Sequence, residues 1–318
     1  MNFHGGNEEQ RIASSLEFGD ASASDIGLER AINEDRYAVF ESGSGTAWFV
    51  LDGMGGVEGG EFAAQLALDA IRRYVETHEH ADPAAILRGA ISDANGAVVL
   101  RRQNQKFASM GTTVVALMID EMEVAISHIG DSRAYLVHGE GITQLTIDDT
   151  LVQQMVDAGQ IKPEEALSHP DAHFLTRCLG TQVELDVSLQ HFWRLPSESS
   201  DVIVLCSDGL YGLVFDQEIA EAVRTLAPGI ACQTLIALAN SRGGYDNITV
   251  SIVPLQGALT DRAPEGWDKV RDARQRKRAK LNKPPLPVNV HVMILMSLGV
   301  VAAFATTILF AIEKSLIS

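Results

Sequence analysis

The sequence predicts a single α+β domain in which antiparallel sheets are covered by helices. Short apolar runs of strand length dominate residues 25–254, and longer segments with helical spacing of apolar residues interrupt them. The order is strands, two helices, many strands and then mixed elements, which is not the regular alternation of a parallel sheet. Because no low-complexity linker or internal repeat divides this stretch, we expect one domain.

The first predicted elements are a hairpin and a helix. Tyr37–Phe40 and Ala47–Leu51 are predicted strands, and the glycine-containing segment Ser42–Gly45 turns between them. A helix is predicted over Gly59–Thr77, where apolar residues recur every four positions. Its predicted buried face carries Phe62, Leu66, Ala70 and Tyr74.

A second helix is predicted to begin at Pro83, since proline suits the first turn of a helix. Its predicted buried side carries Leu87, Ile91, Ala94 and Val98. The remaining predicted strands are Thr112–Ile119, Glu123–Ile129, Arg133–Val137, Ile142–Leu145, Val183–Phe192, Asp201–Cys206 and Asn247–Val253. The remaining predicted helices are Leu151–Ala158, Asp216–Thr225 and Ile230–Asn240.

The net charge of −17 is distributed unevenly along the chain. Residues 269–318 contain nine Lys or Arg and two acidic residues, which gives +7, so residues 1–268 carry −24. A surface this acidic repels nucleic acid and anionic lipid but is compatible with divalent cations. Ordinary solvation of the surface accounts for most of the charge. Aromatic residues make up only 6% of the chain, so no nucleic-acid stacking surface is expected.

The three cysteines, Cys178, Cys206 and Cys232, are odd in number and form no closely spaced pair. This pattern predicts neither a zinc site nor a disulfide framework. We expect buried, reduced thiols in a reducing cytoplasm.

The two ends of the chain differ from the predicted domain, which covers residues 21–256. Residues 1–20 are polar, lack an apolar signal core and are predicted to be flexible. Residues 257–287 form a predicted basic linker, and residues 288–312 are predominantly apolar and long enough to span a bilayer as a helix. Because positive charge beside a span stays in the cytoplasm, we predict a single-pass anchor with a cytoplasmic domain.

Carboxylates at predicted strand ends, each close to Gly or Asn, are the most informative feature. They are Asp35, Asp52, Asp131, Asp208 and Asp246. One such residue is an ordinary turn residue, but several can converge at one end of paired sheets. Clustered carboxylates repel one another unless a cation neutralises them, and an oxygen-only cluster suits Mg²⁺ or Mn²⁺. Two such ions can share a water and make it a nucleophile for attack on phosphorus.

Gly53, Gly55 and Gly56 follow Asp52 and would let the backbone approach a metal or phosphate closely. Their spacing fits neither a dinucleotide fingerprint nor a phosphate-binding loop with Gly-Lys-Ser/Thr. A tight strand-to-helix turn would explain the glycines equally well. Arg30 could bind two phosphate oxygens at once, although a surface arginine would look the same in the sequence.

Six short motifs together resemble the PP2C-type metal-dependent protein phosphatases, and His169–Pro170 and Leu175–Gly180 are similar to bacterial members. In chain order the motifs are Arg30-x-x-Asn33-Glu34-Asp35, Asp52-Gly53-Met54-Gly55-Gly56, Met110-Gly111-Thr112-Thr113, Gly130-Asp131-Ser132-Arg133, Ser207-Asp208-Gly209 and Asp246-Asn247. The resemblance covers residues 20–254. It implies a four-layer α-β-β-α sandwich with a metal centre at one end of the two sheets.

The resemblance implies ligands for two Mn²⁺ or Mg²⁺ ions and a possible third. Asp52 would bridge the two ions, and one of them would also be held by Asp208 and Asp246. The other ion would be held by Glu34 and the Gly53 carbonyl, directly or through water. Asp131, together with Asp208, would help to hold the third ion.

The implied reaction is direct hydrolysis of a phosphoserine or phosphothreonine ester by the metal-bridging hydroxide, without a phospho-enzyme. Arg30 would bind the substrate phosphate, and Asp35 would orient a metal-bound water. Met54 departs from the family pattern, because many members have at this position a His that has been assigned as the general acid. Protonation of the leaving group would then come from a metal-bound water or another group, and His169 and His173 are candidates.

The resemblance also implies partners and a location. Residues 148–173 would form a flap beside the active site. We expect phosphorylated proteins as substrates, a bacterial serine/threonine kinase as the opposing signalling enzyme, and a place at the inner membrane. A non-catalytic scaffold of the same fold and a hydrolase of small phosphate esters remain alternatives. The intact carboxylate set favours catalysis over the scaffold, because a decayed site usually loses ligands.

Overall fold

A computed structural model of the chain contains two antiparallel β-sheets that lie face to face between two layers of helices. The structure describes residues 19–56, 59–78, 82–197, 200–267, 269–270, 272–273 and 276. The chain divides into a unit of residues 1–275 and a unit of residues 276–318. The fold described below belongs to the first unit.

The strands form a five-stranded sheet, a six-stranded sheet and a small two-stranded ribbon. In chain order the strands are β1 Ala21–Asp25, β2 Arg36–Ser42, β3 Gly45–Leu51, β4 Gly53–Met54, β5 Gly111–Thr112, β6 Val114–Asp120, β7 Glu123–Ile129, β8 Arg133–His138, β9 Gly141–Gln144, β10 Ser188–Leu195, β11 Val202–Cys206, β12 Ile248–Pro254 and β13 Ala258–Thr260. The sheet orders are β1-β12-β11-β8-β9 and β13-β10-β7-β6-β3-β2, and β4 pairs with β5. Neighbouring strands are antiparallel, as in the β2–β3 hairpin, where Tyr37 pairs with Val50.

The helices cover the outer faces of the two sheets. In chain order they are α1 Gly59–Thr77, α2 Pro83–Arg102, α3 Leu151–Asp157, α4 Pro163–Ala166, α5 Asp208–Tyr211, α6 Asp216–Thr225 and α7 Pro228–Ser241. Helices α1 and α2 pack on the six-stranded sheet, whereas α6 and α7 pack on the five-stranded sheet. Helix α2 begins where the sequence predicts, because Asp82 accepts a hydrogen bond from the Ala84 N–H at 2.9 Å and Pro83 follows it.

Strand β3 shows why the layers form. Phe49 and Leu51 face the core under α1 and α2, whereas Trp48 and Val50 face the core between the sheets. Successive side chains of a strand point to opposite faces, so a strand that is apolar on both faces must be covered on both. A third core lies between the five-stranded sheet and helices α6 and α7. The structure therefore confirms the α-β-β-α sandwich.

The predicted buried face of α1 is wrong except at Ala70, which is fully buried, and the predicted bounds of the helix agree with the structure. Phe62 is 36% exposed, and Leu66 and Tyr74 are only partly buried. Besides Ala70, the buried side carries Ala63, Ala64, Ala67, Leu68, Ile71 and Val75. The four alanines on this side let α1 approach the sheet closely, while Phe62, Leu66 and Tyr74 lie at the edge of the contact.

The folded unit extends past both predicted limits of the domain. Asp20 is buried and accepts a hydrogen bond from Trp48 Nε1 at 2.8 Å, so it does not belong to a flexible terminus. At the other end, β13 pairs with β10 within the predicted linker of residues 257–287.

The strand predicted over Val183–Phe192 begins later than expected, at Ser188.

No helix within the described ranges has the length and apolar character needed to cross a membrane. The predicted span, residues 288–312, lies outside those ranges. The same holds for residues 1–18 and for most of the predicted linker after residue 270.

Cys178, Cys206 and Cys232 are buried free thiols, as the sequence predicts. Burial raises the pKa of Cys232 to about 12 and also raises the pKa of Cys206. Neither residue is a thiolate at neutral pH, so neither is a candidate nucleophile.

Candidate metal centre

The strand ends bring five aspartates together at one end of the sandwich. Asp52 follows β3 and Asp131 follows β7, and these two strands run in the same direction because β6 lies antiparallel between them. Asp208 follows β11 and Asp246 precedes β12, so antiparallel pairing places both at one end of the other sheet. A cleft of about 700 Å³ opens between these ends. Its lining includes Arg30, Glu34, Asp52, Gly53, Asp131, Asp208 and Asp246.

The carboxylates in the cleft oppose one another's ionisation. Burial raises the pKa of Asp52 well above its usual value, and the charges of the other four aspartates raise it further. The pKa of Asp131 is raised first by burial and then by Asp208, and the same two causes raise the pKa of Asp246. Such an excess of negative charge favours binding of a cation, which would neutralise it.

Asp35 lies directly behind the cleft and is only 3% exposed. Its Oδ2 accepts a hydrogen bond from Ser207 Oγ at 2.7 Å. Burial is the main cause that raises the pKa of Asp35 to about 7, with Asp208 and Asp246 adding to it. Asp35 Oδ1 and Asp208 Oδ1 are buried, and neither has a hydrogen-bond partner among the described residues. Unpaired buried carboxylate oxygens are expected to bind water or an ion.

Two glycines let Glu34 approach the loop after β3. A Cβ on Gly53 would lie 2.2 Å from the Gly60 carbonyl oxygen, and a Cβ on Gly60 would lie 2.4 Å from Glu34 Oε1. Burial raises the pKa of Glu34, whereas Arg30 and the backbone N–H groups of Glu61 and Gly60, in the first turn of α1, oppose this rise. The partial positive charge of this helix terminus stabilises the carboxylate. Close backbone packing thus accounts for the glycines at both positions.

Arg30 lies at the cleft, beside two of the predicted metal ligands. Its Nη2 donates to Asp246 Oδ2 at 2.7 Å, and its Nη1 lies 3.6 Å from Glu34 Oε2. The side chain is 44% exposed. The guanidinium therefore offsets part of the negative charge and keeps an open side toward the cleft.

Of the two candidate histidines, only His173 lines the cleft. Its Nδ1 lies 3.7 Å from Asp208 Oδ2, and the interaction with that carboxylate is the main cause that raises the pKa of His173. His169 instead accepts a hydrogen bond at Nδ1 from the Asp171 N–H at 3.2 Å. Met54 also lines the cleft and has no proton to donate.

Ser207 and Asn247 position the carboxylates, although the sequence predicts no role for either residue. Ser207 holds Asp35, as described above. Asn247 Oδ1 accepts from the Glu34 N–H at 2.8 Å, and its Nδ2 donates to the Ile26 and Ile32 carbonyls at 2.8 and 3.1 Å. Both residues stand beside a site aspartate in the sequence, and this adjacency is the sequence feature that could have indicated their role.

The residues fit hydrated divalent cations better than an ion enclosed by protein. Among the residues that the structure describes, no three Asp, Glu, His or Cys side chains are arranged to hold one ion together. Mg²⁺ keeps several waters and uses one or two carboxylates, and Mn²⁺ prefers the same oxygen ligands. The clustered carboxylates with raised pKa values and the two unpaired buried oxygens suit such loosely ligated ions.

A family model described as Protein phosphatase 2C matches residues 29–248. The chain is 38% identical over 234 residues to the serine/threonine protein phosphatase PstP of Mycobacterium tuberculosis. This match covers 73% of the chain but only 44% of that relative, so the chain spans less than half of the relative's length. It is also 35% identical over 238 residues to the serine/threonine phosphatase stp of Listeria monocytogenes, which covers 72% of the chain and 92% of that relative.

Solved structures share the fold. The crystal structure of the catalytic domain of the serine/threonine protein phosphatase PstP, in complex with 2 manganese ions, matches with a TM-score of 0.64 at 35% identity. The match covers 76% of the chain and 98% of that structure.

Proposed function

Because the chain belongs to the protein phosphatase 2C family, we propose that it hydrolyses phosphoserine and phosphothreonine esters on proteins with Mn²⁺ or Mg²⁺ as cofactor. One observation carries the proposal: five aspartates from distant parts of the chain meet at one cleft, and burial together with neighbouring carboxylates raises the pKa of four of them, Asp35, Asp52, Asp131 and Asp246. Divalent ions bound there would neutralise charge and activate water for attack on phosphorus.

The residues that would hold the ions come from both sheets. Two ions would be held by Glu34, Asp52, the Gly53 carbonyl, Asp208 and Asp246. Asp131 and Asp208 would hold a third. The manganese complex of the PstP catalytic domain supports the choice of metal, and the unpaired buried Asp208 Oδ1 supports the ligand set.

The other polar groups of the cleft have complementary roles in this proposal. Asp35 would orient the attacking water and can accept a hydrogen bond from it at Oδ1, which is buried and has no partner among the described residues. Arg30 uses one hydrogen bond for Asp246, and its other N–H groups can bind the substrate phosphate. His173 is the better candidate for protonating the leaving alkoxide, because it lines the cleft and Met54 cannot donate.

The test is Mn²⁺-dependent release of phosphate from a phosphothreonine peptide. We expect Asp208→Ala to lower the rate by at least about 100-fold, as expected when a metal or its electrostatic stabilisation is lost. Asp69→Ala, an exposed carboxylate on α1, is the matched control and should keep the wild-type rate. Equal rates in the wild type and Asp208→Ala would overturn the catalytic assignment and would favour the scaffold.

We also propose that the enzyme opposes a serine/threonine kinase and is anchored by residues 288–312 at the inner membrane, with its domain in the cytoplasm. The names of the two curated relatives support the substrate class, and the apolar run with its preceding basic cluster supports the anchor. Deleting residues 288–318 should move the protein from the membrane to the soluble fraction. Retention of the truncated chain on membranes would contradict the anchor.

A further inference from the structure

A basic and aromatic surface lies at the C-terminal end of α2. Phe62 and Phe107 stack with their ring centroids 5.0 Å apart. The Arg101 guanidinium carbon lies 4.3 Å from the Phe107 centroid and 5.1 Å from the Phe62 centroid. Lys106 Nζ lies 5.3 Å from the Phe107 centroid. We call these four residues the Arg101 ledge.

The ledge adjoins the glycine loop that lines the cleft. The turn after α2 packs on Gly55, where Ser109 Oγ donates to the carbonyl at 3.2 Å. A Cβ on Gly55 would lie 2.5 Å from Met110 Cα, so the two segments are in direct contact. Phe62 belongs to the first turns of α1, the helix whose start contacts Glu34. A chain bound in the cleft can therefore reach the ledge within a few residues.

The charge of the helix terminus alone does not explain the ledge. Basic residues in the last turn of a helix interact favourably with its dipole, and this accounts for Arg101 and Arg102. It does not account for the aromatic pair of Phe62 and Phe107 that stacks under the guanidinium. No carboxylate within the described part of the chain forms an ion pair with Arg101.

We propose that the Arg101 ledge binds acidic side chains that flank the phosphorylated residue of a protein substrate. This inference rests on the proposed function and deepens it by naming a substrate class. The ring contacts hold the guanidinium in place, so less side-chain entropy is lost when it pairs with a carboxylate. A nucleic acid or an anionic membrane would also face the strongly acidic remainder of the domain, whereas a short acidic segment needs only the ledge.

The experiment compares three phosphothreonine peptides that differ only beside the phosphorylated residue. One has neutral flanks, one has Asp and Glu on the N-terminal side, and one has them on the C-terminal side. We expect kcat/KM of the wild type to favour one acidic peptide over the neutral one by about 2- to 5-fold at low salt, as an exposed ion pair would give. Added NaCl should reduce this ratio.

Variants locate the preference. Arg101→Ala should bring the ratio to about 1, and Arg101→Glu should favour a peptide with Lys in the same positions. Arg224→Ala removes an exposed arginine of α6, in the opposite helix layer, and should leave the ratio unchanged. Each variant is judged by its own ratio of kcat/KM for the acidic and the neutral peptide, because this ratio does not depend on the fraction of the protein that is active.

Each outcome separates this inference from the proposed function. Turnover with no acidic preference, or a preference that survives Arg101→Ala, overturns the role of the ledge alone. Absence of Mn²⁺-dependent turnover of all three peptides overturns both. If Arg101→Ala abolishes binding to phosphatidylserine vesicles and leaves the peptide ratio intact, the ledge is a lipid contact and the inference is wrong.

Discussion

At the scale of single residues, Gly60 leaves no space for a side chain between Glu34 and the loop after β3. A Cβ there would lie 2.4 Å from Glu34 Oε1 and 2.6 Å from the Gly53 carbonyl carbon. We expect Gly60→Ala to displace Glu34 and to weaken Mn²⁺ binding and phosphatase activity by at least about ten-fold. Isothermal titration with MnCl₂ and a peptide assay measure the two effects.

Gly96→Ala is the matched control, since a Cβ at this position in α2 meets nothing within 4 Å. It should keep both properties, and the alanine should stabilise the helix by about 0.5–1 kcal/mol. Unchanged Mn²⁺ affinity in Gly60→Ala would show that Glu34 does not depend on this packing.

Asp35 makes the stability of the metal-free protein depend on pH. Its pKa rises from a usual 3.8 to about 7 on folding, so between these values the folded state holds a proton that the unfolded state has lost. The resulting stability is complete below pH 3.8 and is lost as the pH rises to about 7. With EDTA present, the free energy of unfolding should fall between pH 5 and 8. In Asp35→Asn the fall should be smaller by about 2 kcal/mol.

Urea titrations of the wild type and of Asp35→Asn at pH 5 and pH 8 measure how far the free energy of unfolding falls in each protein. Parallel pH profiles for the wild type and Asp35→Asn would mean that Asp35 stays ionised in the fold. Asn can still accept the hydrogen bond from Ser207, so the comparison isolates the charge.

The identities of the site carboxylates could be predicted from the sequence, but their contacts could not. Each aspartate stands at a strand end within two residues of Gly, Asn or Ser, and this local pattern is visible in the sequence. The pairing of Arg30 with Asp246 joins residues 216 positions apart, and the bond from Ser207 to Asp35 joins residues 172 positions apart. Such contacts follow from strand order, which the sequence does not state.

At the scale of elements, Arg133 of β8 joins the start of the predicted flap to the metal cleft. Its Nε and Nη2 donate to Asp148 at 3.0 and 2.7 Å, and both side chains are about 10% exposed. The guanidinium carbon lies 3.6 Å from the ring centroid of Tyr211 in α5, and the Tyr211 hydroxyl donates to the Asp131 carbonyl at 3.1 Å. The pair therefore connects β8, α5 and the segment that carries α3 and α4.

Removing either Arg133 or Asp148 leaves the charge of the other, which is nearly buried, without a partner of opposite charge. We expect Arg133→Met to lower the free energy of unfolding by about 3–5 kcal/mol. Arg133→Lys should lose nearly as much, since lysine cannot donate two parallel hydrogen bonds to the Asp148 carboxylate. The double variant Arg133→Met/Asp148→Leu should recover most of the loss. Urea denaturation measures all three variants, and equal losses in the single and double variants would contradict this account.

Periodicity predicted most elements but not the strands that depend on distant partners. The bounds of β7 and α6 agree with the sequence prediction, because their apolar patterns are complete within the element. Strand β1, Ala-Ser-Ala-Ser-Asp, lacks β-branched and aromatic residues and was not predicted. It is a strand because it pairs with β12, where the Ser22 and Ser251 hydroxyls hydrogen-bond at 2.5 Å.

At the scale of the whole molecule, the cleft concentrates negative charge that the surrounding fold must hold together. Residues 1–268 carry −24, and the site aspartates are brought from strands of both sheets to one end of the sandwich. Their repulsion opposes the docking of the two sheets, whereas the apolar core between the sheets favours it. Divalent ions bound at the cleft should therefore stabilise the domain.

Ions that bind only the folded state add about 2.7 kcal/mol when their concentration is 100 times the dissociation constant. For a domain of this size, we expect saturating MnCl₂ to raise the melting temperature by roughly 5–10 °C over EDTA, beyond the effect of NaCl at equal ionic strength. Asp208→Ala should melt higher than the wild type in EDTA, because one repelling charge is gone, and it should respond less to MnCl₂. Differential scanning calorimetry in EDTA and in MnCl₂ measures both the higher melting temperature of the variant without metal and its smaller response to MnCl₂. An equal MnCl₂ shift in the two proteins would place the stabilising ion away from Asp208 and would separate the charge cluster from metal binding.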